Sequence, residues 1–257
     1  MANYDVVPVR AFKDNYIWAL RAGHHAAVVD PGDAAPVLEY LDREKLTLAA
    51  ILITHHHKDH IGGLPALRER FPGVPVPGPR GEPIELLTRA VSGGDQVEVP
   101  EIGARFEVID IPGHTRAHIA YHGDGRLFCG DTLFACGCGR VFEGTPEQMF
   151  ESLERLNALT GETLAYCAHE YTLANIAFAQ AVEPGNEALA ERARTEAAVR
   201  ERDQPTVPTT IARERATNPF LRCREPEVIA SANKHLGQPV GHPAQVFAAI
   251  RDWKNRF

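Results

Sequence analysis

The chain has 257 residues, 44% of them hydrophobic and 24% charged, ordinary values for a folded protein of one large or two modest domains, which excludes fibrous and disordered classes. Its formal net charge of −7 repels a phosphate backbone over most of the surface, so nucleic acid is not expected as a partner. The longest apolar stretches, such as residues 48–53, fall far short of the ~20 residues that span a bilayer, and Met1-Ala2-Asn3-Tyr4-Asp5 has neither a basic patch nor an apolar leader core. The expectation is a soluble cytoplasmic protein, monomeric, with no membrane partner.

Short apolar and β-branched runs open the chain at residues 5–9, 16–20 and 26–29, a pattern of strands in a meander. Asp30-Pro31-Gly32-Asp33 reads as a turn into helical spacing over 35–41, and residues 49–53 read as a buried strand. A His-rich segment follows that strand directly, at the end where a sheet presents ligands outward. Residues 64–71 are predicted helical and 71–79 looping. Strands are predicted at 96–99, 105–109, 117–121 and 126–129, with Gly123-Asp124-Gly125 as a hairpin turn. Thr145-Pro146-Glu147-Gln148 predicts a helix start, and 163–168 one more strand ending in His169-Glu170. Beyond Tyr171 strand signals vanish, and Ala, Glu and Arg recur at helical spacing, notably over 186–202. A domain boundary is placed near residue 173, giving a strand-rich domain over 1–173 and a helical one over 174–257.

The chemistry begins in Thr54-His55-His56-His57-Lys58-Asp59-His60. In an extended loop alternate residues point one way, so His55, His57 and Asp59 can converge while His60 turns to a neighbouring position. Imidazole nitrogen and carboxylate oxygen suit zinc, iron or manganese. The competing reading is a surface histidine tract, but tag-like runs sit at termini and lack interleaved acids. Three further strand ends each offer a donor: Pro112-Gly113-His114-Thr115, Cys129-Gly130-Asp131-Thr132 and Ala168-His169-Glu170. Taken singly, His114, Asp131 and His169 could each be a capping residue. Jointly they complete a two-metal site with a bridging carboxylate, the constellation of a metal-dependent hydrolase.

The five cysteines, Cys129, Cys136, Cys138, Cys167 and Cys223, are odd in number and show no C-x-x-C spacing, so no disulfide scaffold is expected. A thiolate metal site at Cys136-Gly137-Cys138 is disfavoured because full ligand sets already exist. His56 should point away from the metals by alternation, and His118 and His122 read as hydrogen-bonded structural residues. Arg251 and Lys254, in Arg251-Asp252-Trp253-Lys254-Asn255-Arg256, read from the residues alone as a solvated helix end.

These motifs, with Gly137-Cys138-Gly139-Arg140, Tyr166-Cys167-Ala168-His169-Glu170-Tyr171-Thr172, Glu183-Pro184-Gly185-Asn186 and Asn218-Pro219-Phe220-Leu221-Arg222, resemble the glyoxalase II family. These are the hydroxyacylglutathione hydrolases of the metallo-β-lactamase superfamily, and the likeness runs over essentially the whole chain. The resemblance implies an α/β fold, a four-layer αβ/βα sandwich followed by a C-terminal α-helical domain that contributes to the glutathione site. It implies two divalent metal ions, zinc in the first place with iron or manganese as alternatives. His55, His57 and His114 would hold one ion and Asp59, His60 and His169 the other, with Asp131 bridging and Asp59 orienting the attacking hydroxide, these two acids being the catalytic pair.

The implied reaction is hydrolysis of S-D-lactoylglutathione and related S-2-hydroxyacylglutathione thioesters to glutathione and the hydroxy acid, by a metal-bridged hydroxide. That is the second step of methylglyoxal detoxification. Arg140, Tyr171, Arg251 and Lys254 match the family's glutathione-binding positions, and each suits a small substrate with two carboxylates bound to an acidic protein. Phe142 departs from the family's common Tyr and lacks its hydroxyl. The alternatives are a glutathione persulfide dioxygenase with a single iron and, less in keeping with the acidic balance, a phosphodiesterase of the same fold.

Overall fold

The structure is a computed structural model that describes residues 4–257. Met1, Ala2 and Asn3, part of the stretch read above for a leader, lie outside the described residues. The chain forms two compact units that do not follow sequence order: residues up to Asp110 with Thr115–Gly130, and Ile111–His114 with Asp131–Phe257.

The first unit opens with β1 (Asp5–Ala11), β2 (Asn15–Ala22) and β3 (His25–Val29), paired antiparallel in sequence order. Next, α1 (Ala34–Glu44) crosses to β4 (Thr47–Leu52), which runs parallel to β3. The Asp33 carboxylate caps α1 by accepting the Ala35 N–H at 3.0 Å, and Lys45 ends it in the left-handed region at φ 55°. Val37, Tyr40 and Leu41, one helical face, join Ile17, Val28 and Ile51 in the core beneath this sheet. Burying such side chains contributes about 1.5–3 kcal/mol each, and this core holds the end of β4 in place.

The chain continues through α2 (Lys58–Ile61), α3 (Leu64–Arg70), β5 (Pro77–Pro79) and β6 (Arg89–Val91). It then runs back and forth as β7 (Gln96–Val99), β8 (Ala104–Asp110), β9 (Ile119–Gly123) and β10 (Arg126–Phe128), all antiparallel neighbours. Buried and exposed residues alternate along β7 and β8, which buries one face. The β9 residue Tyr121 donates its hydroxyl to the carbonyls of Ile53 at 2.9 Å and Pro77 at 3.1 Å, tying this layer to the end of β4.

The second unit carries the hairpin β11 (Leu133–Phe134) and β12 (Gly137–Cys138), then α4 (Pro146–Asn157), β13 (Leu164–Tyr166), α5 (Thr172–Val182) and α6 (Glu187–Glu201). After these come β14 (Thr209–Thr210), α7 (Ile211–Thr217), α8 (Pro226–Leu236) and α9 (Pro243–Arg256). The helix start read at Thr145 is a complete capping box with Gln148. Strand signals beyond Tyr171 do not vanish altogether: β14 pairs antiparallel with β13. Its two residues show no alternation, and only the partner strand defines them. The same holds for β5, β6, β11 and β12. Among the described residues no helix is long and apolar enough to cross a membrane.

The β11–β12 hairpin is fastened by a buried charge network. Glu214, fully buried, accepts from the Cys136 N–H at 2.8 Å, the Asn218 amide at 2.9 Å and Thr209 at 2.7 Å, and pairs with Arg192 at 2.7 Å. Asn218 also donates to the carbonyls of Phe134 and Gly137. Removing one member of such a network strands a buried charge, a loss of about 3–5 kcal/mol. Glu214→Ala is therefore expected to lower the unfolding free energy by that amount in denaturant titration. A change under about 1 kcal/mol would mean the network holds nothing.

Candidate active site

In the first unit β4 ends at Leu52, and the His-rich segment follows as a short irregular stretch that turns into α2 at Lys58, with His57 at the N-cap in an extended conformation. Alternation therefore carries His55 and His57 but stops there. Asp59 and His60 are placed by the helix instead, which is the difference from an all-extended loop. The rings converge: His55 lies 4.9 Å from His57, 4.1 Å from His60 and 4.5 Å from His118 between centroids. His55 and His60 are fully buried, whereas Asp59 is partly exposed and held by the Asn15 amide at 3.2 Å.

Asp30 organises this half of the site. It is buried at the end of β3 and accepts the Thr54 N–H at 2.8 Å and the Thr54 hydroxyl at 2.6 Å. Its Oδ2 also lies 3.1 Å from Nδ1 of His60. Thr54 Oγ1 in turn lies 3.0 Å from Nδ1 of His55. With each Nδ1 engaged in this way, Nε2 is the nitrogen left to act as a ligand. Ligand atoms of Asp30, His55 and His60 lie within 4.8 Å of one another. His56 points elsewhere and meets the carboxylate of Glu82, which also accepts from the Thr115 hydroxyl at 2.7 Å and the Ala117 N–H at 2.9 Å.

In the second unit the Asp131 carboxylate lies between two imidazoles, Oδ2 at 3.4 Å from Nε2 of His114 and Oδ1 at 3.3 Å from Nε2 of His169. A carboxylate that turns one oxygen toward each of two histidines has the donor arrangement of a bridging ligand. The Nδ1 of His114 is 2.7 Å from the Arg140 carbonyl oxygen. Gly113 delivers His114 at φ 144°, and a Cβ there would lie 2.7 Å from Cα of Met149, so α4 can pack against it only without a side chain. His169 is stacked flat on Tyr171, 4.7 Å between centroids, and Phe134 meets both rings edge-on. Imidazole and carboxylate donors of this kind in both units fit divalent metal ions.

His114 and Asp131 open onto a cavity of about 790 Å³ in the second unit, lined also by Arg140, Phe142, Tyr171, Arg251 and Lys254. Asp131 is the one acid in that lining among the described residues, while three cations face the same space. Arg140 and Tyr171 are exposed. Arg251 is buried, so the solvated-helix-end reading does not describe it. Lys254 is half-buried over the Phe178 ring. Burial first, and the neighbouring Arg251 charge second, push its ammonium down to about 8.

Residues 12–169 match the model of the metallo-beta-lactamase superfamily, and residues 170–257 match that of the hydroxyacylglutathione hydrolase C-terminus. The chain is 53% identical over 253 residues to a hydroxyacylglutathione hydrolase of Nitrosomonas eutropha, covering 98% of this chain and 99% of that one. It is 53% identical over 254 residues to one of Vibrio campbellii, again covering 98% and 99%. The chain belongs to the hydroxyacylglutathione hydrolase family. Among solved structures it is similar to ETHE1 from Myxococcus xanthus, with a TM-score of 0.65 and 27% identity over 98% of this chain and 97% of that one.

Within the hydroxyacylglutathione hydrolase family fold, a metallo-β-lactamase fold of mixed sheets and helices with a C-terminal helical region, the expected donors all fall at strand or helix ends. Asp30 and Asn15 stand behind two of them, and Glu82 holds the neighbouring His56, Thr115 and Ala117. Asp30 opens the turn Asp30-Pro31-Gly32-Asp33, and an acid directly after a buried strand and beside a parallel neighbour is a signal of this kind. Glu82 lies in a Pro/Gly-rich stretch with no such mark. Asn15 begins β2, and nothing in its local pattern points to Asp59.

Asp30→Asn is expected to weaken divalent-metal affinity about 10–100-fold, the usual cost of losing a carboxylate behind a ligating histidine. Chelator competition on the folded protein reads this directly, and wild-type affinity would remove Asp30 from the role.

Proposed function

We propose that this protein hydrolyses S-D-lactoylglutathione and related S-2-hydroxyacylglutathione thioesters, releasing glutathione and the hydroxy acid. The observation that carries the reading is the continuity, within one unit, of Asp131 between His114 and His169 with a cavity where Arg140, Arg251 and Lys254 gather. Reactive donors and an anion-binding wall thus share one space in a protein of net charge −7. The names of relatives at 53% identity over nearly their full length support the hydrolase over the single-iron dioxygenase.

In this reading His55, His57 and His114 would hold one divalent ion, Asp59, His60 and His169 would hold a second, and Asp131 would serve both. Two ions, zinc before iron or manganese, would supply an acidified water and polarise the thioester carbonyl. The side chains do the rest. Asn15 keeps the Asp59 carboxylate turned toward His60, where it orients the nucleophile. Arg140, Arg251 and Lys254 hold the glutathione carboxylates, and Tyr171, stacked on His169, offers its hydroxyl beside them. Phe142, 60% exposed and 5.3 Å from the His114 ring, presents an apolar face to the same space. The leaving thiolate has a conjugate acid of pKa about 8.5, judged from cysteine, and departs without a general acid. Residues 1–173 form the catalytic domain of this scheme, and 174–257 the helical domain that brings Arg251 and Lys254.

Purified protein is expected to hydrolyse S-D-lactoylglutathione with kcat/KM above about 10⁴ M⁻¹s⁻¹, with metal content measured on the same sample. A metal-loaded sample that turns over no glutathione thioester would sink the assignment. Asp131→Asn should lose metal and more than about 100-fold in kcat.

The binding wall makes a separate prediction. An anionic substrate needs Lys254 charged, and in the free protein that charge is lost as pH rises through about 8. Wild-type kcat/KM for a glutathione thioester should therefore decline on that limb, while Lys254→Gln starts lower and lacks the decline. Identical profiles for the two proteins would show that Lys254 does not meet the substrate.

A further inference from the structure

Arg251 does more in this structure than face the pocket. Its guanidinium is buried, with Nη1 donating to the carbonyls of Cys138 at 2.9 Å and Gly139 at 3.4 Å, and Nη2 donating to the Asn255 side chain at 3.2 Å. The Phe220 ring backs it at 5.2 Å. The segment it grips leads directly into Arg140, whose carbonyl oxygen is the partner of His114 Nδ1 at 2.7 Å. Gly139 lies so close to the other reactive donor that a Cβ on it would be 1.9 Å from the Asp131 carbonyl oxygen and 3.2 Å from His114 Nδ1. Its N–H also donates to the Thr132 carbonyl at 3.2 Å. Three residues of backbone, Cys138-Gly139-Arg140, therefore touch Arg251 on one side and both His114 and Asp131 on the other.

A tripeptide whose carbonyls are held by a charged donor cannot rotate its next peptide plane freely, and such charge-assisted bonds are about twice as strong as neutral ones. The plane in question is the one whose oxygen fixes the tautomer and tilt of the His114 ring. We propose that Arg251 is a positioning residue for the metal centre: by holding the Cys138 and Gly139 carbonyls it sets the Arg140 carbonyl that orients His114. The residue that lines the glutathione pocket thus also sets metal affinity before any substrate arrives. This rests on the reading of His114 as a metal ligand. Attracting a carboxylate needs only positive charge, whereas gripping the turn needs the planar guanidinium fork, which a lysine ammonium does not reproduce.

The test uses the full chain without substrate, titrated with zinc under chelator competition, and the visible absorption spectrum of the cobalt-substituted protein. Arg251→Ala and Arg251→Lys are both expected to bind zinc about tenfold more weakly and to shift the cobalt spectrum. Lys254→Gln, which alters the pocket charge but not the turn, is expected to keep wild-type zinc affinity. Should Arg251→Ala fail to give a cooperative thermal melt, Arg251→Lys, which keeps the charge and most of the volume, decides the question. His114→Ala separates the two layers of the argument. If it binds zinc as the wild type does, the ligand reading itself fails. If it weakens zinc while Arg251→Lys matches the wild type in affinity and spectrum, the ligand reading stands and the positioning role is overturned. Equal tenfold weakening in Lys254→Gln would also overturn it, because pocket charge alone would then account for the effect.

Discussion

An imidazole can hold a cation firmly only when its second nitrogen is fixed, and much of the polar architecture here serves that one constraint. Thr54 stands behind His55, Asp30 behind His60 and the Arg140 carbonyl behind His114, each at Nδ1. Each partner comes from a different level of structure: the neighbouring residue, a parallel strand end, and a backbone turn. The sheets and helices place those partners, so the hydrophobic core acts on function through them. The Val37, Tyr40 and Leu41 face of α1 keeps β3 and β4 in register, which brings Asp30 to Thr54.

What could be read from the chain alone divides along the same line. Donors announce themselves by residue type and by position after an apolar run, which is why His55, His57, His114, Asp131 and His169 stood out. Strands β7 and β8 and the capped helix α4 were equally plain, because alternation and a Thr-Pro start are local signals. The partners behind the donors were not, since their meaning lies in contacts across long stretches of chain. Asn15 meets Asp59 across a separation of 44 residues. Arg251 reaches back 113 residues to Cys138. A terminal run of basic residues gives no local hint that one of them is buried and holds a turn. Helix α2 was hidden for another reason: four residues rich in charge and imidazole carry no apolar periodicity.

Electrostatics adds a second layer. The chain is acidic overall, yet the cavity beside Asp131 is ringed by Arg140, Arg251 and Lys254. Burial is the main reason the Lys254 ammonium is depressed, and the neighbouring Arg251 charge adds to it. The Arg251 charge meets the Cys138 and Gly139 carbonyls and the Phe220 ring.

All five cysteines are buried and free of disulfides, and Cys138 lines the cavity beside Asp131. Burial holds the Cys138 thiol above its ordinary range against the opposing pull of Arg251, and it pushes Cys136 up to about 12. A thiolate at that place would exchange with any thioester that entered, taking the acyl group onto the protein. Kept as a thiol, Cys138 is a bystander, and under the proposed function a cavity that receives sulfur esters is protected from being acylated by them.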